Sequence, residues 1–168
     1  RSSDLTKVIG GKTLFRIRAL RSFGGIKAGD LGGFIENERN LSHEGNAWVG
    51  DNAKVGGDAW VGGNARVGGY ARVNGDAQVV GDARVDGNAQ VGGDAWVGGN
   101  ARVGGDGLIN SNNDYLCEQG LGSRNRSASF FKCKDGHIHV LCGCFSGNLD
   151  EFENKVKEEH GNSKYSKE

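Results

Sequence analysis

The sequence predicts a mainly β protein: a parallel β-helix followed by a small α+β module with one helix. Three observations carry that expectation. Valine stands at every sixth position from Val49 to Val103, and alanine lies two positions before each of those valines, from Ala47 to Ala101. Glycine supplies 31 of the 168 residues, and proline is absent. Glycine at that level, with neither proline nor a three-residue period, marks turns at regular intervals.

The repeating unit is Val-Gly-Gly-(Asp/Asn)-Ala-x. Successive side chains of a strand alternate faces, so alanine and valine of each Ala-x-Val point inward and x points outward. The glycines and the short polar residue then supply the backbone freedom of a tight corner. Three such strands and corners close one coil of eighteen residues. One coil cannot bury its own apolar face, so its stability comes from stacked neighbours.

The register extends backwards over residues 31–36 (LGGFIE), with Leu31 and Ile35 in inward places. Two degenerate units follow, placing Asn37 and His43 where valine belongs and Leu41 where alanine belongs. The coil is therefore expected over residues 31–110, a little over four turns. Residues 1–30 precede it, and the alternation Phe15-Arg16-Ile17-Arg18-Ala19 reads as a strand capping the open end.

After Asn110 glycine thins and all four cysteines fall between Cys117 and Cys144. Within residues 111–168, Asp135-Gly136 signals a two-residue hairpin. That turn pairs Cys133 with Ile138, Phe131 with Val140 and Ser129 with Cys142. It leaves Phe130, Lys132, Lys134, His137, His139 and Leu141 on the opposite face. A helix is expected over residues 149–160, with Asn148 and Glu151 as a capping box, Gly161 as its stop, and Leu149, Phe152 and Val156 as its apolar stripe.

The eighteen-residue period sorts the outward residues into columns. One holds Trp48, Arg66, Arg84 and Arg102, a second Lys54, Arg72 and Gln90, and a third Trp60, Gln78 and Trp96. Stacked guanidinium groups repel one another unless an anion lies between them, so Arg66, Arg84 and Arg102 are candidate ligand contacts; the alternative is a solvated basic face. Trp48, Trp60 and Trp96 are candidate oligomer contacts, because large outward aromatics on a thin solenoid suggest a contact surface. Residues 120–127 (GLGSRNRS) form a second candidate anion site. There the glycines, Ser123, Arg124 and Arg126 match phosphate or carboxylate, with Lys132 and His139 on the hairpin's polar face. The alternative is an exposed strand connection.

Val-Gly-x-x-Ala-x resembles the hexapeptide repeat of left-handed β-helix proteins, best known for trimeric acyltransferases. The left hand and the trimer are implied by that resemblance. The segments RIRALRSFGG, GDLGGFIE and CGCFSG also resemble proteins of bacteriophages and their Gram-positive hosts, which implies no activity. Acyltransferases of this kind place a histidine on or beside the coil, often with a loop interrupting the repeat, whereas here the repeat is unbroken from Ala47 to Val103. No catalytic residue and no cofactor is assigned. The cysteines read as buried free thiols and no metal ligand set is expected; the corner aspartates Asp58, Asp76 and Asp94 read as backbone acceptors.

The formal net charge is zero, which excludes a bulk basic field for long nucleic acid or an anionic membrane. No apolar run reaches the roughly 20 residues that span a bilayer. The expectation is a cytoplasmic protein of a bacterial host cell that binds an anionic, nucleotide-like small molecule as a homo-oligomer, without catalysis. By analogy with the phage-like flanks, sequestration of a host defence signal is a special case of this expectation. A hexapeptide-type group transferase and a structural or assembly protein are the alternatives.

Overall fold

The computed structural model describes residues 5–121 and 126–161. The chain opens with an antiparallel hairpin, β1 (Thr6–Ile9) and β2 (Lys12–Arg18), followed by β3 (Leu31–Ile35). The coil strands are two residues long: β4 (Trp48–Val49), β5 (Lys54–Val55), β6 (Trp60–Val61), β7 (Arg66–Val67), β8 (Arg72–Val73) and β9 (Gln78–Val79). They continue as β10 (Arg84–Val85), β11 (Gln90–Val91), β12 (Trp96–Val97), β13 (Arg102–Val103) and β14 (Leu108–Ile109). Each from β4 to β11 pairs in parallel with the strand three further on, building a β-solenoid of about four turns from three sheets. The repeat alanines from Ala47 to Ala101 and the valines from Val49 to Val103 are buried and fill one continuous core. The second glycine of the unit is left-handed at every corner where it occurs, as at Gly75 (φ +67°).

The first coil departs from the expected register. Ile35 pairs with Val55, twenty positions on, whereas Lys54 pairs with Arg72, eighteen on. Leu41 bridges Val61, again twenty on, but Trp48 pairs with Arg66, eighteen on. The two extra residues therefore lie in the corner over residues 42–46. Ile35 and Leu41 thus take valine places, and Leu31 is exposed at the strand start. Asn37 caps a 3-10 turn, Glu38–Asn40, instead of pointing inward. His43 sits in the enlarged corner, exposed, 3.2 Å from Glu38. Asn40 closes the core here: it is fully buried, and its amide donates to the carbonyls of Gly57 (3.0 Å) and Ala59 (2.8 Å).

The N-terminal hairpin adds to β3 in antiparallel fashion, covering that sheet's edge. Phe34 faces outward yet is buried, beneath the Lys7 ammonium 4.2 Å from its ring centre. The far end is covered by a four-stranded antiparallel meander, β15 (Tyr115–Leu121), β16 (Arg126–Lys132), β17 (Ile138–Cys142) and β18 (Phe145–Asn148). Helix α1 (Leu149–His160) follows, with the Asn148–Glu151 capping box in place. Its Phe152 packs edge-on to Phe130 at 5.8 Å and beside Phe145 at 5.3 Å.

The β16–β17 register also differs from the expected one. Lys132 pairs with Ile138, Phe131 with His139, Phe130 with Val140 and Ser129 with Leu141. Asp135-Gly136 is therefore the tip of a five-residue loop closed by Cys133 N–H to His137 O at 2.9 Å. A slip of one residue exchanges the faces of one strand relative to its partner. Phe131, Ser129 and Cys133 face the last coil, and Phe130 and Ala128 face the helix side. Among the described residues no helix is long and apolar enough to cross a membrane.

Candidate functional site

The outward columns stand in the sheets as their spacing requires. Trp48, Arg66, Arg84 and Arg102 are successive partners on one sheet, and Trp60, Gln78 and Trp96 on another. Neighbours in a parallel sheet lie about 4.8 Å apart, so consecutive arginines of the first column are close enough to repel strongly. Among the described residues, no carboxylate forms an ion pair with Arg66, Arg84 or Arg102.

Residues 19–30 fold over the first turns of this column. Phe23 meets the Trp48 indole edge-on at 5.8 Å, and the Arg66 guanidinium donates to Gly24 O at 2.8 Å. Trp48 is therefore buried by its own chain, unlike the expected oligomer contact. The indole fits there because Gly32 and Gly50, against which it lies, carry no Cβ.

Between this overhang and the sheet runs a groove of about 490 Å³. Apolar Ile26, Leu31 and Trp48, basic Arg66 and Arg84, and the carboxylates of Asp30, Asp51 and Asp86 all line it. Burial, with the adjacent Arg84 charge, holds the Arg66 guanidinium below its ordinary range, and an anion placed here would offset the repulsion between the two arginines. Two of the carboxylates already accept backbone amides: Asp51 from Gly69 (2.9 Å) and Asp30 from Lys27 (2.8 Å). Arg102 lies one coil beyond the groove lining, where its backbone N–H donates to Ser129 Oγ at 2.8 Å.

Of the second candidate site, Arg126, Lys132 and His139 fall among the described residues. Ser123 and Arg124 lie outside the described residues. Arg126 opens β16 and its guanidinium crowds Gly143, at the opposite end of the strand from Lys132. Lys132 and His139 fall on opposite faces because of the one-residue register difference. Lys132 approaches Asp114 at 3.9 Å, while His139 Nε2 meets Ser146 Oγ at 2.9 Å.

That same register gathers three other groups. One potential ligand atom each of Cys133, His137 and His139 lies within 4.8 Å of the others. The expected hairpin put Cys133 and the two histidines on opposite faces, which is why this grouping escapes a reading by spacing. Burial, then Asp135 and Asp106, push the Cys133 thiol up, and burial holds the His139 imidazole down. Of the corner aspartates, Asp58 is paired with Arg39 at 2.6 Å.

Trp60 and Trp96 remain exposed, at 40% and 57% of their surface, on the sheet that shares Gln78. No family model matches the chain, and no curated protein matches it either.

Proposed function

We propose that the chain is a non-catalytic, oligomeric binding protein for an anionic, nucleotide-like small molecule, seated in the groove over Arg66 and Arg84. The observation that carries this reading is the groove itself. It is of ligand size, part of its lining is apolar, and its two guanidinium groups form no ion pair with the carboxylates beside them. Guanidinium forks suit the oxygens of a phosphate. The carboxylates of Asp51 and Asp86 suit ligand hydroxyl or amine donors, which nucleotide-like compounds also carry.

The coil is proposed to be left-handed and the assembly a trimer, both supported by the resemblance of the repeat. Trp60 and Trp96 are proposed to meet a neighbouring copy, since both are exposed on one flat face. The phage-like flanks extend the reading to sequestration of a host signalling molecule.

Native mass spectrometry of freshly purified protein tests it. The expected result is a multiple of the chain mass carrying an anionic adduct. In Arg84→Glu the adduct should weaken by about 10- to 100-fold, the range for losing a hydrogen bond to a charged group, while the oligomer persists. An adduct unchanged in Arg66→Glu and Arg84→Glu places the ligand elsewhere and overturns the site. A clean oligomer that takes up nothing from a panel of nucleotides overturns the function.

A further inference from the structure

We propose that Cys133, His137 and His139 form a binding site for a divalent transition-metal ion of the zinc type. All three side chains project to one side of the β16–β17 hairpin, the side that closes the last coil. Cys133 is buried at the floor, His139 is half-buried beside Phe131 at 5.4 Å, and His137 is exposed at the mouth. Thiolate and imidazole are the donors a borderline-soft ion prefers, and three of them with an open fourth position make a familiar zinc arrangement.

Two features beyond the cluster point to a metal. Asp135 Oδ1 contacts His137 Nδ1, and Ser146 Oγ lies 2.9 Å from His139 Nε2. Each imidazole is thus held through one nitrogen by an oxygen, the outer-shell arrangement that orients metal-ligating histidines and leaves the second nitrogen to ligate. The loop is also pinned from outside. Gly107 bridges Cys133, Lys134 N–H donates to Asp106 O at 3.1 Å, and the Lys134 ammonium donates to Asn88 O at 3.0 Å.

Metal–sulfur bonds of about 2.3 Å and metal–nitrogen bonds of about 2.0–2.1 Å draw tetrahedral donors to roughly 3.5 Å apart. Donors within 4.8 Å of one another therefore need to contract by no more than about 1.3 Å. Ligation needs a thiolate, so the Cys133 thiol gives up its proton to solvent as the metal–sulfur bond forms. Bound there, the ion would tie the hairpin loop to the strand that covers the solenoid's end.

The test is a cobalt(II) titration of the full chain, stripped with chelator and kept reduced. One equivalent should produce a thiolate-to-cobalt charge-transfer band and the visible bands of a four-coordinate ion. Zinc should displace both. Asp135→Asn should weaken binding about 10- to 100-fold, and His137→Gln at least tenfold. Cys133→Ser should abolish the charge-transfer band; if that variant does not fold, the weakened binding of His137→Gln, an exposed position, serves instead. Cys144→Ser should leave the spectrum unchanged. An octahedral spectrum without charge transfer, a band kept by Cys133→Ser, unchanged cobalt affinity in His137→Gln, or a band lost in Cys144→Ser overturns the assignment.

Discussion

At Gly75 the chain takes φ +67°, and a Cβ built there would lie 2.8 Å from Gly93 O of the next coil. Left-handed backbone costs an L-residue about 1–2 kcal/mol. Stacking corner on corner then leaves no room to move away. Gly75→Ala should therefore destabilise the protein by at least about 1–2 kcal/mol, read as a lower urea midpoint; an unchanged midpoint would mean that the corners are not packed this closely. Asp51 shows how a side chain survives in such a place. It is the one non-glycine with positive φ among the described residues (+52°), and its carboxylate accepts the Gly69 amide of the next coil. Asp is among the few side chains that tolerate the left-handed region, and here it gains a bond to the neighbouring coil as well.

Among the elements, the 3-10 turn Glu38–Asn40 carries the most weight for its length. Asn40 stands in an otherwise apolar interior, where it satisfies two carbonyls and accepts the Asn37 amide at 2.8 Å. Removing it leaves buried carbonyls without donors, each costing about 1–3 kcal/mol. Asn40→Ala should therefore lower stability by about 2–4 kcal/mol, and hydrogen exchange should quicken first around Gly57 and Ala59. Exchange that rises uniformly would remove this turn from the role of plug. The tryptophan strands show a related pairing of local sequence with packing. Trp48, Trp60 and Trp96 are each followed two positions on by glycine, and a Cβ at Gly62 would lie 2.6 Å from the Trp60 ring. The indoles therefore lie flat along the corner, which widens the face that Trp60 and Trp96 present.

Over the whole molecule, both ends of the solenoid are covered, which matters because an open sheet end presents unpaired backbone to other chains. The hairpin β1–β2 covers one sheet edge, and Phe131, Cys133 and the Tyr115 hydroxyl, which donates to Trp96 O at 2.6 Å, close the other end. Phe131 is fully buried in the same cluster as Ile109 and Val103. Phe131→Ala should cost about 3–5 kcal/mol, the range for a buried phenylalanine. Meander and solenoid should still melt in one transition; two separate transitions would show that the end cover is not coupled to the coil.

The alternation and the six-residue period are local properties, repeated often enough that one strand rule decides every repeat. Fold class, columns, capping box and core are therefore readable from residues alone, and so are the basic groups of the groove, Arg66 and Arg84. The differences arise where a position depends on a distant partner. The two extra residues beside His43 are invisible until Leu41 is seen bridging Val61. The overhang that buries Trp48 and shapes the groove depends on residues 19–30, which carry no repeat. The hairpin register depends on the last coil, which holds Cys133 against Gly107 and makes the loop five residues long. Pairing of remote strands sets that choice, and with it the meeting of Cys133, His137 and His139, because a shift of a single residue turns every side chain to the other face.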